Sequence, residues 1–152
     1  MKLIALIFIS LLLNFSVLAN LLNPNFDINP KDVISIQLKA LMKNDIPSPD
    51  TGIAQTWEFA HPQNRQYTGP LSNFTKMLKS KSYEVMIDHI SHNIIYVNQE
   101  DNIANYFVEL TDKNRNKFGF TWTLKKVLAE GKYKDCWMTV GVSQPIPLAK
   151  SA

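Results

Sequence analysis

Between residues 30 and 44, hydrophobic side chains recur every three to four positions. Ile34, Leu38 and Leu41 fall on one face, a spacing typical of an amphipathic helix. Asn29 precedes this segment and is a suitable N-cap, and the proline that follows it is well tolerated at the first helical position. The pattern predicts a first helix with one apolar face, which another part of the fold must cover.

The same spacing predicts two further helices downstream. One begins after Asp50, its expected N-cap, and ends near Ala60; the other covers residues 70–79. Prolines separate these helices from their neighbours, because a proline disfavours helical geometry in the residue before it. Residues 62–67 lie between the two and are expected to form no more than one turn.

The second half of the chain alternates between apolar and polar residues, which is the period of half-buried β-strands. Strands are predicted over residues 104–110, 118–124 and 136–142. The mixed pattern of residues 90–97 predicts a further strand, and residues 83–87 are a candidate for another.

Short polar segments join these strands, at residues 98–102, 112–116 and 127–135. Such links suit antiparallel hairpins, because a parallel crossover needs about a dozen residues or more. Pro145 and Pro147 are expected to end the last strand. The predicted fold class is α+β, with three N-terminal helices packed on a curved antiparallel meander sheet.

The N-terminus has the parts of a signal peptide. Lys2 supplies a positive charge, residues 3–13 are uncharged and apolar, and Val17 and Ala19 have the spacing that signal peptidase accepts. Cleavage is predicted after Ala19, which makes the mature protein periplasmic or secreted, with no membrane association after cleavage. The alternative is an uncleaved anchor, because the apolar stretch extends almost to the ~20 residues that a membrane span needs.

The composition fits one globular domain. Of the 152 residues, 45% are hydrophobic and 19% are charged, with a net charge of +3, which excludes a disordered chain. We expect an arm at residues 20–29, a single domain at 30–147 and a C-terminal tail at 148–152. The single cysteine excludes an intrachain disulfide. The dispersed lysines predict no nucleic-acid partner, and the isolated glycines form no phosphate-binding loop, so no cofactor is expected.

Three stretches of the chain resemble a known family. Residues 32–45 (DVISIQLKALMKND), 56–74 (TWEFAHPQNRQYTGPLSNF) and 119–142 (with GFTWTL at the start and CWMTVGV at the end) are similar to the domain of unknown function 4864 family. The order of helices before a meander resembles the nuclear transport factor two-like superfamily, also called cystatin-like. This resemblance implies a cone-shaped fold in which a bent sheet wraps a long helix and leaves a cavity at its open end. It implies no particular reaction, because that superfamily includes isomerases, dehydratases, cyclases and binding modules.

Large aromatic residues are the main candidates for a ligand site. Aromatic side chains line pockets for flat apolar ligands, but they also fill the core of a small domain. Both interpretations stay open for six of them: Trp57, Phe59, Tyr83, Tyr106, Trp122 and Trp137.

Asp88, His89 and Tyr106 are the candidates for acid–base chemistry. His89 or Asp88 would move a proton, and Tyr106 would donate a hydrogen bond to a developing oxyanion. Neighbours on a strand face opposite sides, so only one of Asp88 and His89 is expected to face a cavity. His92 lies three residues after His89, an offset that separates the two on a regular strand, so no metal site is predicted.

Three more polar residues receive mainly structural interpretations. Arg65 either clamps the acid group of a ligand or, as the favoured interpretation, pairs with Glu58 on the preceding helix. His61 precedes a proline and is expected to fix a turn or cap a helix end. Cys136 follows the negative Asp135 and has no activating positive neighbour in the sequence, so it is expected to be buried and unreactive.

Two hypotheses for the function follow from these residues. The favoured one is an exported module without catalysis, which binds a small apolar ligand or a protein partner in a cavity between the helices and the curved sheet. The alternative is a small acid–base isomerase or hydrolase that acts on a hydrophobic substrate. The outer surface of the sheet, carrying Phe107 and either Trp122 or Trp137, is expected to suit a homodimer.

Overall fold

The computed structural model describes residues 20–150, so the predicted signal peptide lies outside the described residues. Over these described residues the fold is α+β, with four α-helices and a curved antiparallel sheet of five strands. The helices are α1 (Pro30–Leu41), α2 (Thr51–Glu58), α3 (Pro62–Thr68) and α4 (Leu71–Leu78), and the strands are β1 (Ser91–Glu100), β2 (Ile103–Thr111), β3 (Asn116–Lys126), β4 (Trp137–Val142) and β5 (Ile146–Lys150). Within residues 20–150, no helix combines the length and the apolar composition needed to cross a bilayer.

Helix α1 begins and packs as its sequence predicts. The Asn29 side chain caps it, because Oδ1 accepts a hydrogen bond from the backbone N–H of Asp32 at 3.0 Å. Ile34, Leu38 and Leu41 are completely buried. The apolar face of α1 therefore forms the centre of the core between the helices and the sheet.

A tight corner joins α1 to α2. Asn44 is buried, and its side-chain Oδ1 accepts a hydrogen bond from the backbone N–H of Ile53 at 3.0 Å. Gly52 is required at this corner, since a Cβ atom there would lie 2.2 Å from the carbonyl oxygen of Ala40. The prediction that Asp50 caps α2 with its side chain is wrong. Asp50 precedes the helix in the left-handed region, with φ 61°, and makes no side-chain cap hydrogen bond.

Two segments differ from their predicted structure. The segment expected to be one turn forms the whole of α3, because His61 caps it and Pro62 occupies its first turn. The candidate strand at residues 83–87 is instead a short 3₁₀ helix, Glu84–Met86. Local hydrogen bonds satisfy that backbone without a neighbouring strand, since Ile87 N–H donates to the Glu84 carbonyl at 3.0 Å.

The first four strands form the predicted antiparallel meander, in the spatial order β1-β2-β3-β4. Directly paired residues share a face, and the pairs Tyr106–Trp122 and Val108–Phe120 place large buried side chains toward the helices. Register shifts occur in the pairings of β1 with β2 and of β3 with both β4 and β5. Such bulges bend strands, which suits a sheet that curves around α1.

The C-terminal segment departs from the sequence prediction. Val142 ends β4 shortly before Pro145, but the chain then forms β5 and pairs antiparallel with β3, as in the pair Gly119–Ile146. Pro147 is accommodated at a register shift between Lys117 and Phe118. The strand includes the start of the region that was expected to be a tail.

The outer surface of the sheet carries Phe107 but neither tryptophan. The Phe107 ring covers Gly119 on the neighbouring strand so closely that a Cβ atom there would lie 2.3 Å from it. Trp122 and Trp137 are both buried in the main core with the helices. The expectation that one of the two tryptophans lies on the outer surface is therefore wrong.

Candidate functional site

A cavity of about 230 Å³ lies between the helices and the strands β3 and β4. It is larger than the cavity of about 150 Å³ that is known to hold benzene or xenon, and smaller than the pockets of roughly 300 Å³ and above that hold drug-sized ligands. Most of its lining is apolar, from Leu41, Ala60, Phe74, Met77, Leu78, Tyr83, Met86, Trp122, Gly141 and Val142. The polar lining residues are Gln37, Thr56, Asn64, Thr68 and Thr139.

One wall of the cavity is a continuous chain of buried hydrogen bonds. Trp122 Nε1–H donates to Thr139 Oγ1 at 3.1 Å, and the Thr139 hydroxyl donates to Gln37 Oε1 at 2.7 Å. Gln37 Nε2–H in turn donates to the Thr56 carbonyl at 3.0 Å. These polar groups form hydrogen bonds with one another, so they do not require a ligand as a hydrogen-bond partner.

Thr139 is held at the cavity by the chain between α2 and α3. Its backbone N–H donates to the Phe59 carbonyl and its carbonyl accepts from the His61 N–H, both at 2.8 Å. These two bonds form an isolated parallel bridge between Ala60 and Thr139. The bridge fixes the helical layer to β4 and sets the position of the polar wall.

The cavity reaches the surface beside α3, α4 and the end of β4. The lining residues that keep partial exposure there include Asn64, Thr68, Met77 and Val142. Tyr83 stands at the same place, and its hydroxyl donates to the Val142 carbonyl at 3.2 Å. Burial raises the pKa of Tyr83 above its usual value, so this phenol stays neutral at physiological pH.

The structure brings only part of the predicted aromatic set to this cavity. Tyr83 and Trp122 line it, whereas Phe59, Tyr106 and Trp137 are buried in the main core and are not among its lining residues. Trp57 is half-buried and also lies outside the lining. Core packing is therefore the observed role of most of these side chains.

Arg65 binds backbone carbonyls instead of the Glu58 carboxylate. Its guanidinium donates to the carbonyls of Trp57, Glu58 and Ala60, each at 3.0 Å. The guanidinium also stacks on the Trp57 ring, 3.8 Å from its centroid, with Tyr133 on another side. Arg65 thus caps the C-terminal end of α2, which corrects the predicted carboxylate pairing and occupies most of the donors that a ligand acid would need.

His89 and His92 contact each other, contrary to the prediction from strand alternation. His89 precedes β1, after Asp88, whose φ of 56° turns the chain, so the alternation of a regular strand does not apply. His89 Nε2 lies 2.8 Å from His92 Nδ1, and His89 Nδ1 lies 2.7 Å from the Met86 carbonyl. Burial is the main reason that the pKa of His89 falls to about 4, and it also lowers the pKa of His92.

The candidate acid–base residues do not meet at the cavity. Neither Asp88 nor His89 is among its lining residues, and Tyr106 is not there either. The acid–base hypothesis required one of the first two to face the cavity. Among residues 20–150, no group of three or more His, Cys, Asp or Glu side chains is arranged to hold a metal ion.

His61 and Cys136 have the structural positions that were expected of them. His61 Nδ1 accepts from the Gln63 N–H at 3.1 Å and caps α3. Cys136 is buried, and this burial raises the pKa of its thiol, which disfavours the reactive thiolate. Two buried atoms near α3, His61 Nε2 and Trp57 Nε1, have no hydrogen-bond partner within the described residues.

Sequence reasoning missed the polar wall of the cavity. Gln37 lies three residues after Ile34 and four before Leu41, so it falls on the buried face of α1. A glutamine at such a position is a signal of a buried hydrogen-bond network. Its partner Thr139 is 102 residues away, and this pairing is a property of the folded chain alone.

Comparison with family models, curated proteins and solved structures finds no match to this chain. The resemblance to the domain of unknown function 4864 family therefore stays a prediction.

Proposed function

We propose that this protein is an exported, non-catalytic module that binds a small apolar molecule in the cavity between its helices and its curved sheet. The cone-shaped architecture of the nuclear transport factor two-like superfamily is part of this proposal, because a cavity under a curved sheet is what that architecture provides. The observation that carries it is the apolar cavity of about 230 Å³, whose buried polar wall is already hydrogen-bonded.

The size and lining of the cavity define the ligand class. A volume of this order holds a monocyclic or small bicyclic compound, such as toluene or indole. Because Trp122, Thr139 and Gln37 are bonded to one another, a ligand rich in polar groups would lose hydrogen bonds to water without replacement. The ligand is therefore predominantly apolar.

The test uses indole as the probe and the Trp122 indole N–H as the reporter in proton–nitrogen correlation spectra. Val142→Phe places a larger side chain at the cavity lining, and Val140→Phe makes the same change two residues away, outside the lining. Indole should shift the Trp122 resonance saturably in the native protein and in Val140→Phe but not in Val142→Phe. Equal shifts in both variants, or none in the native protein, would reject the proposal.

Export and self-association belong to the same proposal and have their own tests. N-terminal sequencing of the exported protein should begin at Asn20; a sequence that begins at Met1 would reject cleavage. The homodimer would use the outer surface of the sheet, where Phe107 lies beside the exposed Ile95 of β1. Sedimentation equilibrium should find a dimer that Ile95→Lys dissociates, and a monomeric native protein would reject this part.

A further inference from the structure

A second concave site lies between the N-terminal arm and the helices α1 and α2, and its lining shares no residue with that of the cavity. This groove has a volume of about 750 Å³ and is lined by the arm, by α1, by the α1–α2 loop and by the first half of α2. Gln55 of α2 holds the arm in place. Its Oε1 accepts from the Leu22 N–H at 2.7 Å, and its Nε2–H donates to the Leu22 carbonyl at 2.9 Å.

The groove is apolar but has a cationic rim. Ile46 is 66% exposed and Leu22 is 57% exposed, so this apolar surface is open to solvent and not part of the core. Lys39 and Lys43 are the only charged side chains among its lining. Neither forms a salt bridge with any residue of the described part of the chain.

The two lysines and the apolar residues that α1 contributes to the groove lie along one side of the helix and its end. Ile36, Lys39, Ala40 and Lys43 are spaced by three, one and three residues, which places them along one side of the helix and its end. The stripe from Ile36 to Lys43 is about 10 Å long at the helical rise per residue. A single extended alkyl chain that carries a negative group matches this length, with the negative group beside Lys39 and Lys43.

We propose that the groove binds a medium-chain carboxylate, with the alkyl chain on the surface formed by Leu22, Ile36 and Ile46 and the carboxylate at Lys39 and Lys43. The alkyl chain gains from leaving water, and the carboxylate forms charge-assisted hydrogen bonds with the two ammonium groups. Residues 1–19 are a less suitable occupant of the groove. They are mostly apolar and match its apolar surface, but they contain no acidic side chain that could pair with Lys39 and Lys43. The site is separate from the cavity of the proposed function.

The binding experiment is a calorimetric titration of the mature protein, which begins at Asn20, with decanoate, decanol and decyltrimethylammonium. The two ionic compounds are kept below their micelle concentrations, and decanol is kept below its solubility limit. Decanoate should bind more tightly than decanol, and the cationic analogue should bind least. In Lys39→Gln/Lys43→Gln, decanoate should lose about tenfold in affinity while decanol keeps its own. Lys76→Gln/Lys81→Gln removes the same charge from two exposed lysines outside the groove and should leave both affinities unchanged.

A second pair of variants locates the alkyl chain. Ile46→Gln should weaken both decanoate and decanol, whereas Ile90→Gln, at an exposed isoleucine outside the groove, should weaken neither. Each methylene that becomes fully buried should raise the affinity by up to about fourfold, so octanoate should bind more weakly than decanoate.

Three results would overturn the proposal. One is decanoate affinity that does not depend on the two lysines. Another is loss of decanoate binding in the cavity variant Val142→Phe with no loss in Ile46→Gln, which would place the ligand in the cavity. The third is equal affinity for decanoate, decanol and decyltrimethylammonium, because the negative group would then contribute nothing to binding.

Discussion

Single residues around the start of β1 make the stability of this protein sensitive to acid. His89 is only 2% exposed, and the Met86 carbonyl and His92 occupy both of its ring nitrogens. Burial and then the charge of Lys39 lower the pKa of His92. The hydrogen bond with the Met86 carbonyl and, to a smaller extent, the charge of Asp88 favour the charged form of His89. Burial outweighs both of these effects, so the neutral form of His89 is the one that the fold accommodates.

The stability is therefore expected to fall as the pH decreases from about 6.5 to about 4. In this window His89 takes up a proton in the unfolded chain, where its pKa is near 6.5, but not in the folded chain, where its pKa is about 4. The shift corresponds to a loss of about 3 kcal/mol in the free energy of unfolding. His92 and His61 act in the same direction, since their pKa values are also lowered.

Urea unfolding at a series of pH values measures this effect, with His89→Gln as the comparison. In this variant the free energy of unfolding should depend much less on pH. The smaller contributions of His61 and His92 should remain. If the free energy of unfolding stays constant or rises as the pH is lowered from 6.5 to 4, His89 does not have the proposed effect on stability.

At this scale, burial could be predicted from the sequence but contacts could not. The apolar face of α1 correctly predicts that Ile34 and Leu38 are buried. The contact of His89 with His92 depends on the left-handed backbone of Asp88, and no spacing rule for strands or helices encodes it.

Among the structural elements, the corner between α1 and α2 is the most sensitive to a small change. Gly52→Ala would place a methyl group against the Ala40 carbonyl and the backbone of Asn44. Overpacking against backbone that cannot move aside should lower the free energy of unfolding by about 1–3 kcal/mol or more. Gly141→Ala is the control, because a Cβ atom there meets nothing within 4 Å.

Thermal or urea unfolding of the two alanine variants tests this prediction. Gly141→Ala should resemble the native protein, and Gly52→Ala should unfold at a clearly lower temperature or urea concentration. Equal stability of the two variants would show that α1 and α2 can move apart without lowering the free energy of unfolding. That result would contradict the close approach of Gly52 to the Ala40 carbonyl.

Elements with a clear period were predictable, and those set by long-range pairing were not. The alternation in residues 104–110 and 118–124 correctly predicts the central strands β2 and β3. Strand β5 contains Pro147 and has no such pattern, and it forms because the β3 backbone offers it hydrogen-bonding partners. Similarly, the helical form of α3 depends on the cap from His61 and on the Arg65 contacts with the end of α2.

For the molecule as a whole, the arrangement of a curved sheet over helices leaves an apolar space that side chains do not fill. The α+β class follows from the two hydrophobic periods in the sequence, but a cavity depends on how side chains of α1, α4 and β3 meet. Phe74, Leu78 and Trp122 line this space, and a different rotamer of any of the three would fill part of it. Sequence patterns predict which residues face inward, and packing alone decides whether room is left between them.

A crystal structure determined under xenon pressure tests directly whether the space between the helices and the sheet is an apolar cavity. Xenon binds in apolar cavities that are large enough and not filled with ordered water. We expect a xenon site bounded by Phe74, Leu78, Trp122 and Val142, which disappears in Val142→Phe and remains in Val140→Phe. A space filled by side chains or by ordered waters, with no xenon between the helices and the sheet, would contradict it.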